Sequence, residues 1–554
     1  LRAIVFTAGL MALVPAFTQA DAPPLPPLAT TLCSAGAPKG DAPAKAVSLL
    51  PGYGSARWTI RTGSPEAQAY FDNGLQLGHA FAHKAAVAAF EEAARRDPNC
   101  AMCLWGQAWA GGATINYTVD AATQAKMAAL MVRATVLAAD SPPIERALIA
   151  AMTARYQNGG GTGPGDLAYA KAMEALAADH PEDDELAVLA ADAVMVRASM
   201  TGDMRPMPRA VALLEQALKR SPDSAGGIHF YIHATEMSGF AGRAEPFADK
   251  LQGVAPAASH LVHMPSHTYY WVGRYQDALT ANASAARIDA ANARAQGFEG
   301  EDGVFKLFYH AHNVQFGAAG ALMSGDAEGG LAIARPFLAH ARTLTADQGW
   351  DQMVAGTAYA VEGRYAPVDE VLALSEPTLP YLQAMWRYAR GEALIRKGDL
   401  AGARLEARQV ERSRGDLRAF GGAGGQAADA TRVARLVLEG RIAMLENRPA
   451  DAARAFRKAA TLEETRFRDI TDPPLWWYPV RRSLAAALLS SGDARGAADE
   501  ARATLARRPK DPITLNVLAQ AERRLGLNEA ATAHEAEARR GWTGDLARIG
   551  LAQS

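Results

Sequence analysis

Glycines that recur every 34 or 35 residues limit what this chain can fold into more than any other feature. Gly239 and Gly273 lie 34 residues apart, Gly363 and Gly398 35, and Gly492 and Gly526 34. The stretches GRYQDA from Gly273, GDLAGA from Gly398 and GDARGAADEA from Gly492 read as one turn entering a helix. Pro222 and Pro256 repeat the 34-residue step independently. This period is the length of a two-helix unit, which buries its apolar face only against the next copy, so the chain has to stack as an array. Its size agrees, because 554 residues with 49% apolar content are too many for one rounded domain. The gap of 52 residues between Gly273 and Gly325 marks an insertion, mostly ARIDAANARAQGFEGEDG.

The first unit reads AYFDNGLQLGHAFAHKAAVAAFEEAARRDP and is followed by CAMCLWGQAWAGG. Ala86, Phe90, Ala93 and Pro98 are spaced so that small residues flank one aromatic ring before a terminal proline, and Trp105-Gly106 opens the next unit. This pattern resembles the tetratricopeptide repeat. The resemblance implies an all-α fold, a right-handed superhelical solenoid of antiparallel helix pairs. It also implies that a small molecule, a peptide or a partner protein would sit in the concave groove. The expected organisation is a signal peptide over 1–20, a Pro/Gly-rich linker over 21–64, N-terminal repeats over 65–202, central repeats over 203–345 and C-terminal repeats over 346–554. GGGTGPGD at 159–166 lacks a Lys-Ser/Thr ending and is read as a linker. GAGGQAA near Gly421 is read as a mobile loop.

Arg2 precedes an apolar run from Ala3 to Phe17, and Thr18-Gln19-Ala20 supplies small residues for cleavage before Asp21. That is the layout of a secretory signal, so a periplasmic or secreted protein is expected, with no membrane span after its removal. A net charge of -2 with scattered basic residues argues against nucleic acid as a partner. Of three cysteines, Cys100 and Cys103 begin a helix after Asp97-Pro98-Asn99. They are read as a disulfide within the pair, a bridge from Cys33 to one of them, or a redox couple.

Seven of the twelve histidines fall between Gly226 and Asn313. His229 and His233 are four apart, as are His263 and His267, and each member of the first pair precedes its counterpart by 34 residues. Four residues is close to one helical turn, so each pair points one way. With Gly273 as turn glycine, the repeat register places His260, His263 and His267 at the second, fifth and ninth positions. With Gly239 it places His229 and His233 at the fifth and ninth, and Glu236 at the twelfth. With Gly325 it places His312 at the second. In tetratricopeptide proteins these first-helix positions line the concave face.

Histidine offers a neutral nitrogen ligand near physiological pH, and two at i, i+4 chelate one ion. The expected cofactor is therefore a transition metal (zinc, copper or iron) held by His229, His233, His263 and His267, as one centre or two. His260, His310 and His312 are further ligands or orienters, and Glu236 is a ligand or the general base. Tyr269, Tyr270, Trp271 and Tyr309 are expected to wall the site, and Met264-Pro265 to kink its helix. His79 and His83, and more so His180, His340 and His534, read as ordinary hydrogen-bonded histidines. HExxH, GxSxG and dinucleotide fingerprints are missing, and Leu104 after Cys103 excludes a CxxCH haem site. The expected function is metal-assisted hydrolysis or oxidation of a small molecule. The alternative is a non-catalytic scaffold for a peptide or partner protein.

Overall fold

A computed structural model describes residues 47–157, 163–413, 420, 424–468 and 472–554. The leader-like segment, most of the proline-rich stretch, Cys33 and the first glycines of GGGTGPGD lie outside them. No β-strand occurs among the described residues. Helices follow one another as antiparallel pairs, from Pro65–His79 with His83–Arg96 to Pro512–Arg524 with Asn528–Gly541. The solenoid expected from the 34-residue period is what forms.

Local chemistry sets the helix ends. Ser64, Ser224 and Asp326 cap their helices by accepting from the backbone N–H groups of Ala67, Gly227 and Gly329. Gly239, Gly273 and Gly325 leave their helices with φ of 79°, 81° and 80°, where a side chain is strained. At Gly273 an added Cβ would also lie 2.1 Å from the carbonyl oxygen of Pro509. The first pair departs from this rule, because Phe81 holds the same position at φ 55°. Between helices, the Phe90 ring fills the space left by Gly74 and Gly106, where an added Cβ would come within 2.7 and 2.3 Å of it. That is the small-against-aromatic packing of the sequence pattern.

The array coils tightly enough for both ends to fold back on its middle. Helix Pro65–His79 packs against Ala225–Met237, which lies four pairs later. From the other end, the Tyr270 hydroxyl donates to the Trp477 carbonyl at 2.7 Å and Thr543 N–H donates to the Ser324 carbonyl at 2.8 Å. One apolar core runs from Ile60 to Ala278 and a second from Tyr270 to Ala487, so they meet at residues 270–278.

Two expectations change. Residues 47–63, read as linker, are pinned along the first helix, with Leu50 N–H donating to Asn73 Oδ1 at 2.9 Å and Ile60 N–H to Gln68 Oε1 at 3.0 Å. The loop expected near Gly421 gives way at Gly424, where a helix to Leu445 begins. Much of the insertion after Gly273 is helix, because Tyr275–Ala295 runs for 21 residues before a 3₁₀ turn at Glu301–Lys306. Cys100 is disulfide-bonded to Cys103, both buried. No described helix is long and apolar enough to cross a membrane.

Candidate metal centre

Three first helices lie side by side at the meeting of the two cores. Ala225–Met237 carries His229, His233 and Glu236, Ser259–His263 continued by Pro265–Val272 carries His260, His263 and His267, and His310–Ser324 carries His310 and His312. Pro265 supplies no N–H, and the turn tightens as His267 N–H donates to the Met264 carbonyl at 3.1 Å. The rings on either side of this break meet nearly at right angles, with His263 Nε2 and His267 Nε2 2.9 Å apart. His229, His233, His263 and His267 are 0% exposed, and His260 and His312 only 5% and 3%.

The nitrogens and carboxylates gather into three groups. His229, His233 and His260 form one, His263, His267 and His312 a second, and His233, Glu236 and His267 a third, each with ligand atoms within 4.8 Å of one another. The first two groups abut, because the His233 and His267 rings are 5.2 Å apart and those of His260 and His263 5.7 Å. His310 does not join them. Its Nδ1 donates to Asp289 Oδ2 at 2.9 Å, and Asp289 also accepts from Ser259 and Asn313. The inserted helix thus supplies an anchor beside the centre.

Hydrogen bonds fix which nitrogen carries the proton in three of the rings. His229 Nδ1 donates to the His79 carbonyl at 2.6 Å, leaving Nε2 as a lone pair facing His260 Nε2 at 3.1 Å. His263 Nδ1 donates to Asn282 Oδ1 at 2.6 Å, and the Asn282 amide is oriented by its own bond to the Ala278 carbonyl at 2.7 Å. His267 Nδ1 points at two carboxylates, Glu236 Oε2 at 2.8 Å and Asp472 Oδ1 at 3.1 Å. The opposed Nε2 atoms of His263 and His267 therefore bring two lone pairs together unless a cation or proton intervenes. His233 is more demanding still, because neither of its buried nitrogens has a hydrogen-bond partner among the described residues.

Burial controls the charges. Loss of solvent, then repulsion from neighbouring imidazoles, holds His229, His233, His260, His267 and His312 well below the usual 6.5. Burial takes His263 down to about 4, against the Asn282 bond that favours its charged form. The same loss of solvent pushes Glu236 up to about 8, opposed by the Trp271 hydrogen bond. Six neutral imidazoles, with the Nε2 lone pairs of His229, His263 and His267 turned toward neighbouring rings, make a donor set suited to zinc or copper.

Several neighbours were not signalled by the sequence. Asp472 comes from a connection more than 200 residues beyond His267, and Asn282 from the next helix. Phe81 stands 4.4 Å from the His229 ring and 5.2 Å from that of His260, and Phe316 is 4.5 Å from His267. Tyr309 covers His260 at 4.3 Å. Of the other expected wall residues, Trp271 donates to Glu236 Oε1 at 2.8 Å, Tyr270 turns to Trp477, and Tyr269 donates to Asp249 at 2.8 Å. The rings thus enclose a hollow rather than line an open groove. His79, expected to be ordinary, pairs with Glu185 and its carbonyl orients His229.

No family model matches this sequence, and no curated protein resembles it closely enough to be matched. Solved structures similar to it are helical-repeat proteins. The TPR domain of P58(IPK) is 11% identical, with 84% of this chain and 99% of that chain covered and a TM-score of 0.21. A human IFIT1 dimer with m7Gppp-AAAA is 12% identical, covering 87% and 91%, with a TM-score of 0.29. The APC/C hetero-tetramer Cut9-Hcn1 is 12% identical, covering 87% and 94%, with a TM-score of 0.23.

Proposed function

We propose that this chain is a metalloprotein that holds a transition metal in the imidazole hollow and uses it for chemistry on a small molecule. The observation that carries the reading is His233, a fully buried imidazole whose two nitrogens have no hydrogen-bond partner among the described residues, set between His229 and His260 on one side and Glu236 and His267 on the other. Burying such polar atoms without a partner costs about 1–3 kcal/mol each, a cost that a coordinated ion removes. Metal supplies Lewis-acid or redox chemistry when bound. The protein would hold the rings through His79, Asn282, Glu236 and Asp472 and exclude bulk water with Phe81, Phe316 and Tyr309.

Complete burial of the rings favours a small reactant over a polymer. An exported location is part of the proposal, supported by the leader pattern and by the Cys100–Cys103 disulfide, which suits an oxidising compartment. The second reading, a scaffold for a peptide or protein, is favoured by the helical-repeat fold alone. Elemental analysis of untagged protein separates the two. Stoichiometric zinc, copper or iron that is lost in a His233→Ala/His267→Ala variant supports the metalloprotein. Folded wild-type protein that takes up no metal removes it.

A further inference from the structure

Six ligands converging in one hollow are more than one tetrahedral or trigonal ion uses. They also divide without overlap. His229, His233 and His260 converge on one point, and His263, His267 and His312 on another. The group His233, Glu236 and His267 competes with both, since it draws one ring from each. Glu236 is already engaged, with Oε1 accepting from Trp271 Nε1 and Oε2 from His267 Nδ1, each at 2.8 Å. Asp472 Oδ1 lies 3.1 Å from the same His267 Nδ1. Both carboxyl groups thus meet His267 on the side turned away from the opposed Nε2 atoms, where they orient the ring, and Asp472 Oδ1 also lies 3.5 Å from His312 Nε2.

Resting on the metal-binding reading above, we propose that the hollow holds two ions side by side, each on three neutral imidazole nitrogens, and that the ion it selects is copper. The argument for copper is charge. Two divalent ions would leave the hollow with excess positive charge against only Glu236 and Asp472, in an apolar setting walled by Phe81 and Phe316. Two cuprous ions bring half that charge for those two carboxyl groups to answer, and zinc has no such lower state. Three nitrogen donors suit cuprous copper, and copper stands above zinc in affinity for nitrogen sites. Oxidation of both ions would release two electrons, which an oxidant such as dioxygen accepts together.

The test uses the full chain, purified without a histidine tag, stripped by chelator and reloaded with cuprous copper under argon. Two copper ions per chain are expected. His260→Ala and His312→Ala, each from a different group, are each expected to bind one, with circular dichroism and thermal melting confirming that both variants fold. After oxidation the wild-type pair is expected to give a weak, coupled electron-paramagnetic signal, and each variant the full signal of an isolated cupric ion. One copper in folded wild-type protein overturns the pair and leaves the metal reading standing. No metal uptake at all overturns the earlier reading. Retention of two zinc ions in competition with equimolar copper overturns the selectivity. If either variant fails to fold, the wild-type stoichiometry and signal decide alone.

Discussion

Arg441 and Arg482 are as deeply buried as the histidines of the hollow, at 1% and 0% exposure, yet each guanidinium meets a carboxylate. Arg441 pairs with Glu392, and Arg482 lies 3.1 Å from Asp511, with its guanidinium 4.2 Å from the Tyr478 ring. One connection joins the two clusters, for it carries Asp472 to His267 and Trp477 and Tyr478 to the arginines. The charges of the arginine cluster are paired within the chain, although Nε and Nη2 of both guanidiniums find no hydrogen-bond partner among the described residues, and the cluster reads as architecture. In the imidazole cluster, carboxylates and carbonyls hold the Nδ1 atoms of His229, His263 and His267, while their Nε2 atoms face other imidazoles. The contrast shows what to look for in a buried polar cluster. Several ligand atoms converging on one point, rather than burial or an unpartnered nitrogen alone, mark a place for something else.

The sharpest way to break this contrast is acid. In the metal-free protein the folded histidines take protons only well below 6.5, whereas the unfolded ones take them near 6.5. Below 6.5 the unfolded chain therefore binds more protons, so this stability is present above that value and lost as pH falls. Each histidine contributes about 1 kcal/mol per pH unit, and six together several. Glu463 works in the opposite sense. Burial raises it to about 7, so its contribution is present at low pH and lost as pH rises through that value. Thermal melts of chelator-treated protein should drop steeply between about pH 6.5 and about pH 5, and saturating metal should flatten the drop. A flat metal-free profile would mean that the imidazoles are not dry.

A second comparison removes one partner from the paired cluster. Arg482→Met leaves Asp511 buried and uncompensated, with an expected loss of about 3–5 kcal/mol in denaturant titrations. Arg482→Met/Asp511→Leu should recover much of that loss. Metal content should not change in either variant, because no atom of this pair reaches the hollow. Asn282→Leu probes the other side. It deletes the acceptor that fixes the His263 tautomer, and metal affinity in chelator competition should fall about 10–100-fold. An unchanged affinity would mean that His263 is not a ligand.

The sequence made the helices and the histidines easy to find, because both follow the repeat. A 34-residue step brings His229 and His263 to equivalent places, and it does so whatever the rest of the chain does. What it could not place was the closure of the coil. Asp472 and Phe81 reach the hollow only because distant pairs fold back on the centre, and periodicity is blind to contacts between non-neighbouring repeats. A weak signal existed. TDPPLWWYPV interrupts the repeat with aromatic residues where a connection should be polar, and those rings are buried among the arginines. His310 was misleading for a related reason. It shares a helical turn with His312, but the insertion supplies Asp289 to hold it.

Phe81 gives the finest test, since its backbone and its ring pull in opposite directions. Its φ of 55° lies in the left-handed region that Gly239, Gly273 and Gly325 occupy in later units, and a side chain there costs about 1–2 kcal/mol. The ring repays that by covering His229 and His260, and truncating a buried phenylalanine costs about 3–5 kcal/mol. Phe81→Ala loses the ring and keeps the strain, whereas Phe81→Gly loses the ring and sheds the strain. Glycine should therefore be the more stable of the two by about 1 kcal/mol, the reverse of their usual order in a helix. Both variants should release metal to a chelator faster than wild type, and at similar rates, because both open the same wall. If alanine proves the more stable, the turn is not strained. If release is unchanged in both, the ring is packing rather than a cover on the hollow.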